Sequence, residues 1–92
     1  MAEQIELGYR VVGTIKAVKG SCSAGHKVGD QIELGGHSSG GLCGFFYHSL
    51  FPYIIMLQFG GGFPAEWGDP DAIEMDCMDK WNLVTIELRR IK

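Results

Sequence analysis

The chain contains 92 residues with a mass of 10.1 kDa, enough for one domain with a small hydrophobic core. With 46% hydrophobic and 21% charged residues it is not a disordered chain, and its net charge of −3 argues against nucleic-acid binding through phosphate contacts. Glycine provides 14 of the residues, a share that predicts many turns and excludes a helical bundle. We therefore expect one domain over residues 1–92, with residues 1–7 as a frayed N-terminus.

Two strands are predicted in the first part of the chain. Alternating apolar residues predict a strand over residues 9–19, with Val11, Ile15 and Ala17 on its buried face. A loop bracketed by glycines follows, and residues 31–34 predict a short second strand. The glycine- and serine-rich segment 35–41 predicts a mobile loop or a small lid.

A helical segment is predicted over residues 42–59. Because Pro52 cannot donate a backbone hydrogen bond, we expect a kink or two short helices, the second beginning at Pro52. The apolar stripe of this segment contains Cys43, Phe46, Tyr47, Leu50, Ile54 and Leu57.

The last part of the chain predicts a β-hairpin. Residues 72–78 and 83–91 both alternate between apolar and polar side chains, and the polar turn 79–82 joins them. The elements together predict an α+β fold, in which a small, mostly antiparallel sheet or partial barrel is covered by one kinked helical segment.

No targeting or membrane-spanning segment is expected. The N-terminus has neither a basic region nor an apolar run, and the apolar stretch 42–57 is interrupted and shorter than the ~20 residues of a membrane helix. We therefore expect a soluble cytoplasmic protein. Its three cysteines, an odd number, do not suit a disulfide framework and should be thiols in a reducing compartment.

The cysteines and histidines form a candidate metal site. Zinc and iron favour thiolate and imidazole ligands, and Cys22, His26, Cys43 and Cys77 make the best tetrahedral set, with His48 as the substitute fourth ligand. If the first and third strands run in the same direction, the thiols meet at one end of the domain. The helix start at Cys43 also favours a thiolate.

Other roles for these residues remain open. The chain has no Cys-x2-Cys pair, and Cys43 and Cys77 also suit small buried hydrophobes. His26 could equally satisfy the backbone groups of its glycine-bracketed turn or carry protons. His48 suits packing in the aromatic helix better than catalysis, and His37 is expected to be solvated.

Aromatic residues are concentrated in the middle of the chain. Eight of the ten lie between Phe45 and Trp67, and their apolar surface exceeds what one thin sheet can cover. The uncovered surface predicts a homo-oligomer. An alternative is a pocket under segment 35–41 for a small aromatic ligand, with His26, His48 or a cysteine as acid/base or nucleophile. Six of the eleven acidic residues lie between Glu66 and Asp79, where a solvated face is expected.

Several motifs are spread along the chain: Gly20-x-Cys22-x3-His26-Lys-Val-Gly-Asp30, Gly41-Leu-Cys43-x4-His48-x3-Pro52, Phe59-Gly-Gly-x-Phe63-Pro64, Cys77-x-Asp79 and Glu87-Leu-Arg-Arg-Ile91. Together they resemble a family of small prokaryotic proteins of about this length that has no assigned activity. The resemblance covers residues 9–91 and implies that the cysteines and the Gly-His pair belong to a shared pattern, without supplying a substrate. Relatives often carry Cys-Pro where this chain has Cys43-Gly44, and that proline would stiffen the cysteine loop.

Overall fold

The structure, a computed structural model, describes residues 8–21 and 25–92. Residues 1–7, expected to be frayed, and Cys22 lie outside the described residues. In the described ranges, no helix is both long and apolar enough to cross a membrane. The elements are β1 (Arg10–Val18), β2 (Gln31–Leu34), α1 (Gly44–Gln58), a 3-10 turn (Ala65–Trp67), β3 (Ala72–Asp76) and β4 (Val84–Ile91).

The four strands form one open antiparallel sheet in the order β2-β1-β4-β3. The predicted α+β class is confirmed, and the sheet is open instead of a barrel. Strands β3 and β4 form the predicted hairpin around the turn at residues 79–82. Because β1 and β3 are each antiparallel to β4, they run in the same direction, and their C-terminal ends lie at the same end of the sheet.

A β-bulge in β1 changes which side chains face the core. Ile15 is paired with Ile86, but the next paired residue is Ala17, opposite Thr85, so Lys16 is the extra residue. Beyond the bulge, Ala17 is exposed and Val18 packs against the core. The prediction that Ala17 faces inward was therefore wrong, because strict alternation assumes an unbroken ladder.

One face of α1 covers one face of the sheet. Pro52 lies inside α1, so the alternative of two short helices was wrong. Because proline has no N–H, the His48 carbonyl lacks the helical hydrogen bond that it would otherwise accept. His48 and Pro52 both lie on the exposed side of α1, where water can donate to that carbonyl. The buried core comprises Val11, Ile15, Ile32, Leu34, Leu42, Phe46, Leu50, Ile54, Leu57, Phe63, Val84, Ile86 and Leu88.

Segment 35–41 is held against α1. Gly35 and Ser38 bond to each other through their backbones at 3.0 and 3.2 Å, which makes a tight turn. The Tyr47 hydroxyl donates to the Gly35 carbonyl at 2.6 Å, and the Gly36 N–H donates to Oε1 of Gln58 at 2.8 Å. The structure thus shows a turn tied to both ends of the helix, where the sequence predicted a mobile loop or lid.

Candidate functional site

Cys77 directly follows β3 at one end of the sheet and is half-buried against the core. Its sulfur accepts the Val84 N–H at 3.2 Å and lies 3.8 Å from the Asn82 carbonyl oxygen. The Cys77 N–H also donates to the Val84 carbonyl at 2.9 Å. The sulfur is therefore fixed in position by the turn that joins β3 to β4.

Asp79 organises that turn. Its Oδ1 atom accepts the backbone N–H groups of Trp81 and Asn82 at 3.0 and 3.1 Å, and its Oδ2 atom accepts the Asn82 side-chain amide at 3.3 Å. The Asn82 N–H is the main cause of a lowered pKa for the Asp79 carboxyl, so the turn favours the ionised carboxylate.

Asn82 links this turn to the end of β1. Its Oδ1 atom accepts the Ser21 N–H at 3.0 Å, and the Lys19 N–H donates to the Leu83 carbonyl at 2.7 Å. Gly20 approaches Asn82 so closely, with φ of +81°, that a side chain would not fit. Ser21, the last described residue before residue 25, thus lies at the same end of the sheet as Cys77.

His26 lies in a turn that is tied to the same half of β1. The Gly29 N–H donates to the Ile15 carbonyl at 2.8 Å, and the Ile15 N–H donates to the Asp30 carbonyl at 2.9 Å. The Nε2 atom of His26 is buried and has no hydrogen-bond partner among the described residues. A buried ring nitrogen of this kind calls for a partner, and a metal ion is one candidate.

Cys43 lies at the start of α1. It is the N-cap residue of α1 and is half-buried against the core, without a side-chain hydrogen bond that caps the helix. The chain reaches it past Gly40, which packs against Ile32 and Glu33 of the outer strand β2. Among residues 8–21 and 25–92 no three Cys, His, Asp or Glu side chains are placed to hold a metal ion. Cys43, Cys77 and His26 therefore do not form such a group by themselves.

The other two histidines are on the surface. His48 is exposed on the outer face of α1, and His37 is exposed in the turn of segment 35–41. The exposure of His37 matches the expectation for it. Neither the acid/base role nor the substitute-ligand role of His48 is tested by its position.

A cavity lies at the opposite edge of the sheet from segment 35–41. It is open to solvent, has a volume of about 420 Å³ and lies beside β3, with Phe63 and Trp67 among its lining residues. The pocket was expected under segment 35–41, but no residue of that segment lines this cavity, and neither a His nor a Cys does. Its signal in the sequence was the aromatic and acidic stretch 63–70.

Sequence reasoning missed the role of Arg90. The side chain is 8% exposed and donates to the carbonyl oxygens of Leu57 at 3.1 Å and Gly61 at 2.6 Å. It is also paired with the Asp71 carboxylate. The alternation of β4 was a usable signal, because Arg90 continues the inward series of Ile86 and Leu88.

Comparison with protein families, with characterised proteins and with solved structures gave no match. The resemblance of the motifs to a small prokaryotic family therefore stays a prediction.

Proposed function

We propose that this protein is a small domain that binds a transition metal, zinc or ferrous iron, through Cys22, His26 and Cys77, with Cys43 as the fourth ligand. Thiolate and imidazole are the ligands that zinc uses in closed tetrahedral sites. In this arrangement the metal joins the loop after β1 to the turn between β3 and β4. The metal either stabilises the fold, or binding the metal is itself the function of the protein.

The observation that carries the proposal is the position of Asn82. Its side chain bonds to the backbone of Ser21, the residue before Cys22, and its own carbonyl lies 3.8 Å from the sulfur of Cys77. Asn82 therefore contacts both Cys77 and the residue that precedes Cys22, which supports a site shared by cysteines 55 positions apart in the sequence (77 − 22).

The unpartnered Nε2 atom of His26 supports the imidazole ligand. Three residues separate Cys22 from His26, so both ligands come from one short loop, as in many metal sites. The small size of the domain gives the metal an energetic role, because a metal that closes a loop stabilises a fold with a limited core.

Burial distinguishes the two candidates for the fourth ligand. Cys43 is half-buried at the start of α1, whereas His48 is exposed one turn further along the helix. Burial favours Cys43, since a metal held between the helix and the sheet would be reached by a core-facing side chain.

Elemental analysis and cobalt substitution test the proposal. Protein purified without a histidine tag should contain about one zinc or iron per chain, and its cobalt form should show the thiolate-to-metal absorption of cysteine ligands. Cys22→Ser, His26→Ala and Cys77→Ser should each lower the metal content and the absorption. Cys43→Ser should do the same if Cys43 is the fourth ligand.

His37→Ala is the matched control, because His37 is an exposed histidine in a glycine-rich turn. This variant should keep the metal content of the unchanged protein. A metal-free protein that is folded and keeps its melting temperature in the presence of a chelator would contradict the proposal.

The alternative, a small enzyme or ligand-binding protein that uses His or Cys chemically, stays a prediction. The described cavity contains aromatic and charged side chains but no histidine and no cysteine.

A further inference from the structure

Strand β3 forms an outer edge of the sheet with backbone groups directed away from β4. The Arg90 N–H donates to the Asp71 carbonyl, and the Cys77 N–H donates to the Val84 carbonyl, both at 2.9 Å. Because hydrogen-bonded pairs alternate along an antiparallel ladder, the backbone N–H and C=O groups of residues 74 and 76 point to the outer edge. Within the described ranges the sheet contains no strand beyond β3. This edge can accept a further strand.

The cavity lies along this same edge. Its floor is formed by two cross-strand pairs on the sheet face that α1 does not cover, Ala72 opposite Arg89 and Glu74 opposite Glu87. Its aromatic wall is the loop before β3, where Trp67 stacks on Phe63 with ring centroids 6.3 Å apart. Trp67 remains 70% exposed, so its ring is available for a ligand.

The charges in the cavity leave one carboxylate without a partner. Arg89 is bonded to Glu87 at 3.2 Å and to Asp69 at 2.8 Å. The Asp71 N–H and then Arg89 lower the pKa of Asp69, so it is ionised at neutral pH. Glu74 has no hydrogen bond or ion pair with any described residue, and it lies opposite Glu87 in the ladder. Two like charges on opposite residues of a strand pair are destabilising, and a cation between them would remove the repulsion.

We propose that the outer edge of β3 binds an extended, basic peptide segment of a partner protein. The segment adds to the sheet as a fifth strand, through the backbone groups of residues 74 and 76. One of its Lys or Arg side chains lies in the cavity, where Glu74 supplies the counter-charge and Trp67 supplies an aromatic face for a cation.

Charge complementarity selects this occupant over a second copy of the chain. A copy that is paired antiparallel about Glu74 would place two Glu74 carboxylates opposite each other and each Asp76 beside an Ala72, with no cation supplied. An acidic or neutral strand would likewise leave Glu74 without a partner.

The test uses the fluorescence of Trp67 in a Trp81→Phe background, where Trp67 is the only tryptophan. The probe is an acetylated and amidated six-residue peptide of alternating valine and lysine, which is titrated into the full chain. The matched probes are the same peptide with glutamate in place of lysine, and lysine amide alone. Backbone amide shifts of Glu74 and Asp76, measured by NMR, report strand addition.

The lysine peptide should bind and shift both amides, and its affinity should fall with added salt. The glutamate peptide should not bind. Glu74→Gln should weaken the peptide affinity about tenfold, and NMR should show a similar loss for Trp67→Ala. Two control variants, Glu33→Gln on the far strand β2 and Trp81→Ala at the other exposed tryptophan, should leave the affinity unchanged. Equal binding of the glutamate peptide, tight binding of lysine amide without the amide shifts, or no binding of the lysine peptide would each overturn the proposal.

Discussion

Arg90 connects the end of α1, the loop after it and the start of β3. Its guanidinium lies against the Leu57 and Gly61 carbonyl oxygens and the Asp71 carboxylate, and over the Tyr9 ring at 5.2 Å. The last turn of α1 has no basic residue of its own, so β4 provides the positive charge that favours a helix C-terminus. A single side chain thus determines how the helix is attached to the sheet.

Replacing Arg90 with methionine should destabilise the fold strongly. The substitution keeps an apolar stem of similar length but removes the donor to the Gly61 carbonyl and the cation beside the Asp71 carboxylate, at a cost on the order of 3 kcal/mol in the free energy of unfolding. Urea unfolding measures this change. Arg10→Met is the control, because Arg10 is on the exposed face of the sheet and its ion pair with Glu33 is open to solvent. Equal stability of the Arg90→Met protein and the unchanged protein would contradict this role.

The Asp71 carboxylate should make stability depend on pH. Hydrogen bonds from Arg90 and then from Lys92 hold the pKa of Asp71 below its ordinary value of 3.8. Because the folded pKa is lower than the unfolded pKa, the stabilisation is present above about pH 4 and is lost as the pH falls through the folded value. The difference in unfolding free energy between the unchanged protein and Asp71→Asn should therefore shrink as the pH is lowered from 7 to 2.

Glu66→Gln is the control for this measurement. Glu66 is exposed and has no hydrogen bond or ion pair with a described residue, so its substitution should change stability little at any pH. A stability difference for Asp71→Asn that stays constant down to pH 2 would show that the ion pair does not contribute.

At the scale of elements, α1 shows how exposure permits a proline inside a helix. Pro52 cannot donate to the His48 carbonyl, and the two residues lie on the outer face of the helix, away from the sheet. The continuous helix keeps its buried stripe, including Leu50 and Ile54, against the core. Burial of that stripe outweighs the local preference of Pro52 to end the helix.

Replacing Pro52 with alanine should therefore stabilise the protein. The substitution restores one helical hydrogen bond and removes the proline ring from the helix interior, and we expect a gain of about 1–3 kcal/mol. Thermal and urea unfolding measure it. His48→Ala, on the same exposed face, should change stability by less than about 0.5 kcal/mol. A destabilised Pro52→Ala protein would contradict this account of Pro52.

The sequence predicts those elements whose signals are local. The β3–β4 hairpin follows from alternation on both sides of a polar turn, and β2 is predicted with its observed bounds. The bulge at Lys16 could not be predicted, since it depends on how β1 pairs with β4 across most of the chain.

The candidate site is predictable only in part for the same reason. The residue types of Cys22, His26 and Cys77 indicate metal chemistry, and the common direction of β1 and β3 follows from the topology. The bond between Asn82 and Ser21 could not be predicted, because it joins residues 61 positions apart. The position of Arg90 in the inward series of β4 could have been read from alternation, although a charged side chain argues against burial.

For the whole molecule, several aromatic side chains remain exposed, and the homo-oligomer stays a prediction. Phe45, Phe59 and Trp67 are 73%, 59% and 70% exposed, whereas Phe63, another of the eight aromatic residues in the middle of the chain, is buried in the core. The uncovered sheet face is charged, with Arg89 between Glu87 and Asp69. Association through the aromatic residues of α1 would therefore leave the cavity beside β3 open.

A native mass spectrum of the tag-free protein tests the central claim most directly, because it reports bound metal and subunit number together. We expect each subunit to carry the mass of one zinc or iron ion, in an assembly of more than one chain. Denaturing the same sample in acid should release the metal and give the mass of the bare chain. A folded protein with the mass of the metal-free chain in the native spectrum would contradict the account.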